Sequence, residues 1–406
     1  MPGTNPVILV RRRRRIAALL CGLLLTLAPA AAYADAVIGT GTPESCQTAQ
    51  AATALSNAVA AGGVISFNCG PNPVTILSNT NATDKTVVVN GGGLVTLNGE
   101  DLRQLFFVFG TGNLTLNNIS LFDGNASQGG AIYIDTQAQA TINGGFITSS
   151  GANDGGGIYN KGALTINYAT LGSNIASGNG GGIYNNGGIV NITDSYLVSN
   201  QAQNGGGVYT LNGQLTLLRS TVRGSVIGNF GGGVYTAGPT TIINATFSNN
   251  RAARGGGLYT AATTTVVNAT FNENRADLGG AIYHQAATTS VKNTILTGSL
   301  NTAGNSVSLN CDGSTLTTQG RNIVGDNSCV PNPSAVGDLL ATDAQLGVWI
   351  GSPLRGYIPA EGSPALDYAQ DCPATDQRGY PRPLGAGCDV GAIERGQLLY
   401  LPFTQR

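Results

Sequence analysis

The phrase GGAIY at residues 129–133 recurs as GGGIY at 155–159 and 180–184, GGGVY at 205–209 and 231–235, GGGLY at 255–259 and GGAIY at 279–283. Consecutive copies end in tyrosines that are 24 to 26 residues apart. A unit of this length is too short to bury an apolar face by itself, so successive units must stack on one another. The phrase therefore predicts a solenoid.

Each unit also contains short segments that are typical of strands. A β-branched run such as LTIN (164–167) or TTVVN (264–268) lies before an apolar residue, which is 12 or 13 residues ahead of the tyrosine. Glycine and asparagine separate about three such segments in each unit, and no stretch of the array has helical periodicity. We therefore predict an all-β fold, a right-handed parallel β-helix with about 25 residues per coil and a short capping helix at the N-terminus.

Alternation within the phrase predicts which side chains face inward. The aliphatic residue before each tyrosine is expected inside and the tyrosine outside, with identical positions stacked about 4.8 Å apart on neighbouring coils. Such a column could form a flat aromatic strip on which sugar rings stack, or it could simply stiffen the coils. The ligand-binding candidates are Tyr133, Tyr159, Tyr184, Tyr209, Tyr235, Tyr259 and Tyr283.

The N-terminus has the pattern of a secretory signal peptide. Five arginines, Arg11–Arg15, precede an apolar run and the Ala-Tyr-Ala triplet that ends at Ala34, which predicts cleavage after that residue. Removing this segment leaves 20 − 5 = 15 basic and 21 acidic residues, a formal net charge of −6. We therefore expect an exported, mildly acidic monomer with no membrane span in the mature chain and no nucleic-acid partner.

The cysteines of the mature chain fall as three local pairs outside the regular array. In an exported protein this pattern predicts disulfides at the two ends, although six cysteines permit 15 connectivities. A metal site is not predicted, because the chain has no CxxC and a single histidine. The disulfide candidates are Cys46, Cys69, Cys311, Cys329, Cys372 and Cys388.

An N-terminal cap is predicted where the sequence carries helix signals. Thr42 and Pro43 suit the N-cap and first helical position, and the alanine-rich stretch that follows ends at Gly62. The predicted organisation is a signal peptide at 1–34, a cap with a helix at 35–63, a β-helix array at 64–300, irregular last coils and a C-terminal region at 301–394, and a short tail at 395–406.

Two resemblances add to this interpretation. Residues 114–297, with the GGA[ILV] phrase and the FSNN (247–250) and FNEN (271–274) phrases, resemble the repeats of polymorphic outer membrane proteins. That resemblance implies a right-handed β-helix and adhesion at bacterial surfaces. The C-terminal elements GSPALD (362–367), DQRG (376–379) and CDVGAIE (388–394), together with Arg382-Pro383, resemble the choice-of-anchor Q domain of secreted bacterial β-helix proteins.

An enzyme is the alternative, because pectate lyases and polygalacturonases share the β-helix fold. The catalytic candidates are Arg251, Arg254 and Arg275, which are expected close to Glu273 and Asp277. A lyase would need a strong base and a cation here, whereas a solvated ion-pair surface would need neither. The carboxylates are otherwise too scattered for a hydrolase, which requires paired acids.

Three smaller predictions complete the analysis. His284 follows the last tyrosine at a position that asparagine or threonine occupies in the five preceding units, which indicates a ladder substitution rather than catalysis. Arg378 and Arg382 are expected to pair with Asp389 or Glu394 rather than to act in a lyase loop. No cofactor is predicted, and structural or catalytic calcium stays open. The sequence thus favours a non-enzymatic, secreted or surface-bound bacterial adhesin or glycan-binding scaffold over a polysaccharide lyase.

Overall fold

The computed structural model describes residues 35–285, 288–330, 336–352 and 355–396, together with Gly3. The predicted signal peptide, Gly3 apart, and the last ten residues of the predicted tail lie outside these ranges. Within the described residues the chain winds into a parallel β-helix with about 25 residues per coil. The predicted fold class is therefore confirmed.

Three parallel sheets form the sides of the solenoid, with 12, 11 and 10 strands among the described residues. Sheet 1 consists of Ala36–Ile38, Gly63–Phe67, Thr86–Asn90, Asn113–Asn117, Gln139–Asn143, Ala163–Asn167, Ile189–Thr193, Gln214–Leu218, Thr240–Ile243, Thr264–Val267, Thr289–Lys292 and Thr317–Thr318. Sheet 2 consists of Val74–Leu77, Val95–Asn98, Ser120–Phe122, Phe146–Thr148, Thr170–Gly172, Tyr196–Val198, Thr221–Arg223, Thr246–Ser248, Thr270–Asn272, Ile295–Thr297 and Ile323–Val324. Sheet 3 consists of Asn81–Thr83, Phe106–Val108, Ile132–Ile134, Ile158–Asn160, Ile183–Asn186, Val208–Leu211, Val234–Thr236, Leu258–Thr260, Ile282–His284 and Cys311–Gly313.

A fourth, short parallel sheet lies between sheets 2 and 3 in the middle coils. Its strands are Gly151–Ala152, Ile175–Ala176, Gln201–Asn204 and Val226–Phe230. The glycine phrase follows this sheet and turns the chain into sheet 3. Gly155 has φ +65°, which favours glycine, and a Cβ on Gly156 would lie 2.6 Å from the carbonyl oxygen of Gly181 on the next coil. The glycines therefore provide both the corner and the close approach between coils.

The interior is a set of ladders, as the alternation predicts. The aliphatic residues before the seven tyrosines are all 0 % exposed. Asn174, Asn200, Asn250 and Asn274 form a buried polar ladder in which each Nδ2 donates to a main-chain carbonyl of the preceding coil, at 2.9–3.0 Å. Within the Asn174–Asn200 and Asn250–Asn274 pairs, Nδ2 also donates to the neighbouring Oδ1 at 3.0 Å. These buried amides are satisfied by the repeat itself, so they fix the stacking register.

The N-terminal cap contains the only two helices among the described residues. Helix α1, Pro43–Cys46, has Thr42 as its N-cap, and helix α2, Ala49–Ala61, has Thr48 as its N-cap and ends at Gly62. The sequence predicts one continuous helix from Pro43, and the structure differs because the Thr48 hydroxyl accepts a hydrogen bond from Ala51 N, which begins a second helix. Cys46–Cys69 joins this cap to the first coils.

The coils continue past residue 300. Cys311–Gly313, Thr317–Thr318 and Ile323–Val324 add a further strand to each of the three sheets. Disulfides join Cys311 to Cys329 and Cys372 to Cys388, so the predicted disulfides at the two ends are confirmed. The structure decides their connectivity, which the sequence leaves open, and each cysteine pairs with its neighbour in the sequence. Within the described ranges, no helix is long and apolar enough to cross a membrane.

After the last coil the chain returns along the outside of the solenoid. The strands Leu346–Ile350 and Gly356–Pro359 form an antiparallel pair, and residues 355–396 pack against the outer face of sheet 2. We call residues 355–396 the clasp. It covers the coils from Tyr196, whose ring centroid lies 4.4 Å from the Arg355 guanidinium, to Ile295. On earlier coils of sheet 2, Phe122 and Phe146 are exposed, so the two halves of this face have different surfaces.

Candidate functional site

The tyrosines of the repeated phrase form one continuous stack on the outside of sheet 3, which we call the tyrosine ladder. Parallel pairing places the seven tyrosines in register on successive coils. Neighbouring rings have centroids 4.5–5.4 Å apart and lie within 4–12° of parallel. Phe107 extends the stack beyond Tyr133, at 5.1 Å. The coil spacing thus brings each ring onto its neighbour.

This stacking changes what the ladder presents to solvent. Tyr159, Tyr184 and Tyr259 are only 3 %, 8 % and 4 % exposed, because each ring face is covered by the ring of an adjacent coil. The sequence leaves two possibilities open, a flat strip of accessible ring faces or a column that stiffens the coils. Because the ring faces cover one another, the stack presents ring edges rather than a flat strip of faces. A stiffening role fits the stacking, and ligand binding by these tyrosines stays a prediction.

In the middle of the tyrosine ladder, burial favours the neutral form of the tyrosine hydroxyls. Burial raises the pKa of Tyr184 to about 12 and also raises the pKa of Tyr209. Asn186 Nδ2 donates to the Tyr159 hydroxyl at 2.8 Å, and the Tyr259 hydroxyl donates to Gln285. The ladder therefore offers a repeating series of phenol groups that can donate or accept hydrogen bonds.

Polar side chains flank the tyrosine ladder along its first half. Asp154, Asn179 and Asn204 occupy one side, where the Asp154 carboxylate accepts from Asn179 Nδ2 at 3.1 Å and Asn204 Nδ2 donates to Asn179 Oδ1 at 2.8 Å. Lys161 lies on the other side, with Nζ 5.6 Å and 5.9 Å from the ring centroids of Tyr133 and Tyr159. A side-chain hydrogen bond to Tyr133 raises the pKa of Lys161. We call Asp154, Asn179 and Asn204 the amide rim.

The three candidate arginines lie near the C-terminal end of the ladder. Arg251 and Arg275 are neighbours on adjacent coils, as predicted. The backbone of Arg254 continues, on a later coil, the row of paired positions that contains the amide rim. Its guanidinium lies 5.7 Å from the Phe230 ring centroid and 5.6 Å from that of Tyr283. Among the described residues no ion pair joins these arginines to a carboxylate. The expected ion-pair surface is therefore wrong for this cluster.

The acids expected beside the arginines have other partners. Glu273 Oε2 accepts hydrogen bonds from the Tyr357 hydroxyl at 2.9 Å and from Asn249 Nδ2 at 2.8 Å. Asp277 Oδ1 accepts from the hydroxyl and the main-chain N–H of Thr302, at 2.8 and 3.2 Å. Both carboxylates therefore connect the array to later segments of the chain, one to the clasp and one to the loop after residue 300.

His284 occupies the ladder position predicted for it. It pairs in register with Thr260 and is 2 % exposed. Its Nδ1 lies 3.3 Å from the Ser314 carbonyl oxygen, and its Nε2 has no hydrogen-bond partner among the described residues. The residue is thus a buried member of an interior ladder that holds asparagine or threonine in the five preceding coils.

The C-terminal motifs form a buried charged network within the clasp. Arg382 Nη1 lies 2.7 Å from Glu394 Oε2, with both side chains at most 1 % exposed, and Arg378 pairs with Asp376 at 2.6 Å. Arg382 also donates to the carbonyls of Asp389 and Gly391, each at 2.7 Å. The predicted pairing of Arg382 with Glu394 is confirmed. The carboxylate partner of Arg378 is Asp376 instead of Asp389 or Glu394, and Arg378 also donates to the main-chain carbonyl of Glu394.

Asp389 completes this network as a hydrogen-bond acceptor. Its carboxylate receives the main-chain N–H groups of Asp367 and Arg395 at 2.8 and 2.5 Å. Burial raises the pKa of Asp389 to about 6. The main-chain hydrogen bonds from Arg395 and Asp367 act in the opposite direction and lower this pKa. The network therefore organises the three short motifs into one compact unit, which gives them a structural role.

The clasp is attached to the array through columns of small polar side chains. The Thr246 hydroxyl donates to Gln377 Oε1 at 2.6 Å, and Gln377 Nε2 donates to the Thr221 hydroxyl at 2.7 Å. Asn244 and Asn268, at positive φ, donate to the carbonyls of Thr375 and Asp389 at 2.6 and 3.2 Å. Sequence reasoning missed this interface because threonine is ordinary on a strand.

The comparisons with known proteins support the repeat assignment. A family model described as the Chlamydia polymorphic membrane protein repeat matches residues 244–261 and 268–285. These two segments each run from the strand of sheet 2 through the glycine phrase to the tyrosine ladder. No curated protein and no solved structure matches the chain. The chain is therefore a parallel β-helix in which two coils are similar to the Chlamydia polymorphic membrane protein repeat.

Proposed function

We propose that this chain is a non-enzymatic protein of the bacterial surface or the extracellular space that binds a polysaccharide or another cell-surface component. The repeat match and the three disulfides support an extracellular role. The proposal includes export through the signal peptide, which lies outside the described residues, and a C-terminal region of the choice-of-anchor Q type. Fractionation of cells that produce the full chain tests export: cytoplasmic retention would contradict it.

The observation that carries the binding proposal is the surface formed by the tyrosine ladder and the amide rim. Ring edges and phenol hydroxyls form its floor, and Asp154, Asn179 and Asn204 form one side. Sugars are bound in proteins through hydrogen bonds to hydroxyls and contact with aromatic carbon, and this surface offers both. Its donors and acceptors repeat at each coil, about every 4.8 Å, which suits a polymer with a similarly short repeat.

The runner-up function is a polysaccharide lyase that uses Arg251, Arg254 or Arg275. The observation that favours it is the absence of carboxylate partners for these arginines among the described residues. Against it, Glu273 and Asp277 are engaged with Tyr357 and Thr302, so neither faces the arginines as a ready base. A non-enzymatic binding scaffold therefore agrees with more of these contacts than a lyase does.

Affinity electrophoresis of the mature protein through gels that contain different polysaccharides tests the proposal. Retarded migration without loss of the polysaccharide stain supports binding, whereas a cleared band would establish the lyase. In the double variant Asn179→Ala/Asn204→Ala, we expect the retardation to fall severalfold, because two amides of the rim are removed. Gln139→Ala/Gln214→Ala is the matched control, since both glutamines are exposed on the outer face of sheet 1.

A triple variant, Tyr184→Ser/Tyr209→Ser/Tyr235→Ser, tests whether the tyrosine ladder stiffens the coils or binds the ligand. If the tyrosines mainly stiffen the coils, the melting temperature falls, since stacked aromatic pairs are each worth about 0.5–1.5 kcal/mol. If the tyrosines bind ligand, retardation is lost and the melting temperature is unchanged. Binding that survives both the triple and the rim variants would place the ligand elsewhere and overturn the proposed surface.

A further inference from the structure

We propose that Arg251, Arg254 and Arg275 form a subsite for an anionic polysaccharide that carries about one carboxylate or sulfate per sugar unit. The inference rests on the proposed glycan-binding function and specifies its ligand. The tyrosine ladder and amide rim would contact the polymer chain, while the arginines would recognise its charge. The partner is thus defined by its negative charge as well as by its sugar hydroxyls.

The position of the arginines links them to the proposed glycan surface. Arg254 lies in the same row as the amide rim: Phe230 pairs with Asn204 on one coil and with Arg254 on the next. Its guanidinium stands over the ring of Tyr283, a member of the tyrosine ladder. A polymer that follows the ladder along the solenoid axis therefore reaches Arg254 after it passes the amide rim.

The spacing of the other two arginines suits a charge on each sugar unit. Arg251 and Arg275 are paired on adjacent coils, which places their backbones about 4.8 Å apart. Arg251 is exposed, and the Arg275 guanidinium packs against Gly304, where an added Cβ would lie 2.7 Å from Nη1. The two cations are thus arranged along the axis at one per coil.

The three guanidinium groups have no carboxylate partner among the described residues, and Arg251 and Arg254 are exposed to solvent. Like charges directly opposite one another on neighbouring strands destabilise a sheet, so Arg251 and Arg275 repel each other. The nearby Glu273 and Asp277 are bound to Tyr357 and Thr302 instead. A carboxylate or sulfate can accept two parallel N–H bonds from an arginine, so an anionic ligand would remove this imbalance.

The charge of the whole chain favours an acidic polysaccharide over nucleic acid. Without the predicted signal peptide the chain has 15 basic and 21 acidic residues, so a densely charged duplex, with one phosphate charge per about 1.7 Å, would be repelled by most of the surface. A polymer with one charge per sugar is charged more sparsely. It can pair with one arginine per coil and place neutral hydroxyls elsewhere.

Titration calorimetry with the mature protein tests the inference, using polygalacturonate, its fully methyl-esterified form, dextran sulfate and a short DNA duplex as probes. We expect polygalacturonate or dextran sulfate to bind at least about tenfold more tightly than the neutral ester, with affinity that falls as salt is added. In Arg251→Gln/Arg275→Gln, binding of the anionic polymer weakens about tenfold and binding of the ester is unchanged. Arg103→Gln is the control, because that arginine is paired with Glu100.

The outcomes separate the subsite from the proposed function. Equal binding of the charged polymer and the ester, or full binding by Arg251→Gln/Arg275→Gln, overturns the subsite and leaves the glycan surface intact. If binding depends on the arginines but is unchanged in Asn179→Ala/Asn204→Ala, the result supports the subsite and contradicts a binding role of the amide rim. Duplex DNA that binds as tightly as polygalacturonate, and equally through the arginines, overturns the choice of polysaccharide. The affinities for the two anionic polymers distinguish carboxylate from sulfate recognition.

Discussion

The regular array and the clasp are held together in opposite ways. In the array, a side chain contacts a copy of itself one coil away: tyrosine on tyrosine, asparagine on asparagine, Phe247 on Phe271 with ring centroids at 4.5 Å. In the clasp, unlike groups meet across long stretches of chain, such as Gln377 and Thr221, which are 156 residues apart. Repetition makes the array predictable from short sequence windows, whereas the clasp depends on the completed solenoid.

This difference also predicts how far the destabilising effect of a substitution extends. Solenoid coils contact mainly their neighbours, so their stability is approximately a sum of coil and interface contributions. The clasp is instead one network around Arg382 and Glu394, and its members satisfy each other's buried charges. A substitution in the clasp should therefore release the whole segment from the array, and one in the array should act mainly on adjacent coils.

The largest effect is expected for Arg382→Met. Removing the guanidinium leaves the Glu394 carboxylate, 1 % exposed, without its counter-charge, and breaking a buried pair in this way costs about 3–5 kcal/mol. Trp349 is the single tryptophan, and its ring lies 4.4 Å from the Arg223 guanidinium and 5.3 Å from the Tyr357 ring. We expect its fluorescence transition to move to lower denaturant while the far-UV circular dichroism transition of the array stays in place.

Lys85→Met is the control for this prediction, because the Lys85–Asp84 pair is more than 40 % exposed on both sides. Such surface pairs are worth about 0–1 kcal/mol. If fluorescence and dichroism shift together in Arg382→Met, the clasp and the array unfold as one unit and the comparison between them fails.

An intermediate effect is expected for Asn200→Ala in the array. The side chain donates to the Leu171 carbonyl at 3.0 Å, and its Oδ1 accepts from the main-chain N–H and Nδ2 of Asn174, also at 3.0 Å. Leaving these buried groups without partners costs about 1–3 kcal/mol. Hydrogen exchange should quicken in the coils around Asn174 and Asn200 and stay unchanged in the clasp.

Asn191→Ala supplies the matched comparison, since Asn191 lies on the outer face of sheet 1 and is part of no buried ladder. Its effect on the free energy of unfolding should stay within about 0.5 kcal/mol. Equal losses in the two variants would show that the asparagine ladder does not contribute through its buried hydrogen bonds.

The smallest effect is expected for Thr246→Val, which removes one hydrogen bond between the clasp and the array. The Thr246 hydroxyl is buried and donates to Gln377 at 2.6 Å, so the clasp transition should lose about 0.5–1.5 kcal/mol. Thr170→Val changes a threonine in the same column of sheet 2, three coils earlier and outside the clasp, and should leave that transition unmoved. A shift in both variants would indicate a general effect on sheet 2.

Much of the fold was predictable because each position is repeated. The period, the inward aliphatic residues and the presence of disulfides at the two ends follow from spacing, and Arg251 and Arg275 were placed together for the same reason. Three features were not predictable: the break between α1 and α2, the mutual covering of the tyrosine faces, and the missing ion pairs of the arginines. Each depends on which of several groups makes a given contact. Those contacts form between coils, so the local sequence does not show them.

By itself, the sequence determined the type of solenoid, the identity of the interior residues and the resemblance to polymorphic membrane protein repeats, because a period of about 25 residues with alternating apolar strands can bury its core only by stacking. The tertiary structure alone decided that ring edges, not ring faces, form the surface of the tyrosine ladder. It also decided that Glu273 and Asp277 are drawn away from the arginines and that the clasp covers one half of sheet 2. These outcomes arise from contacts between residues far apart in the chain, and a local pattern carries no information about such contacts.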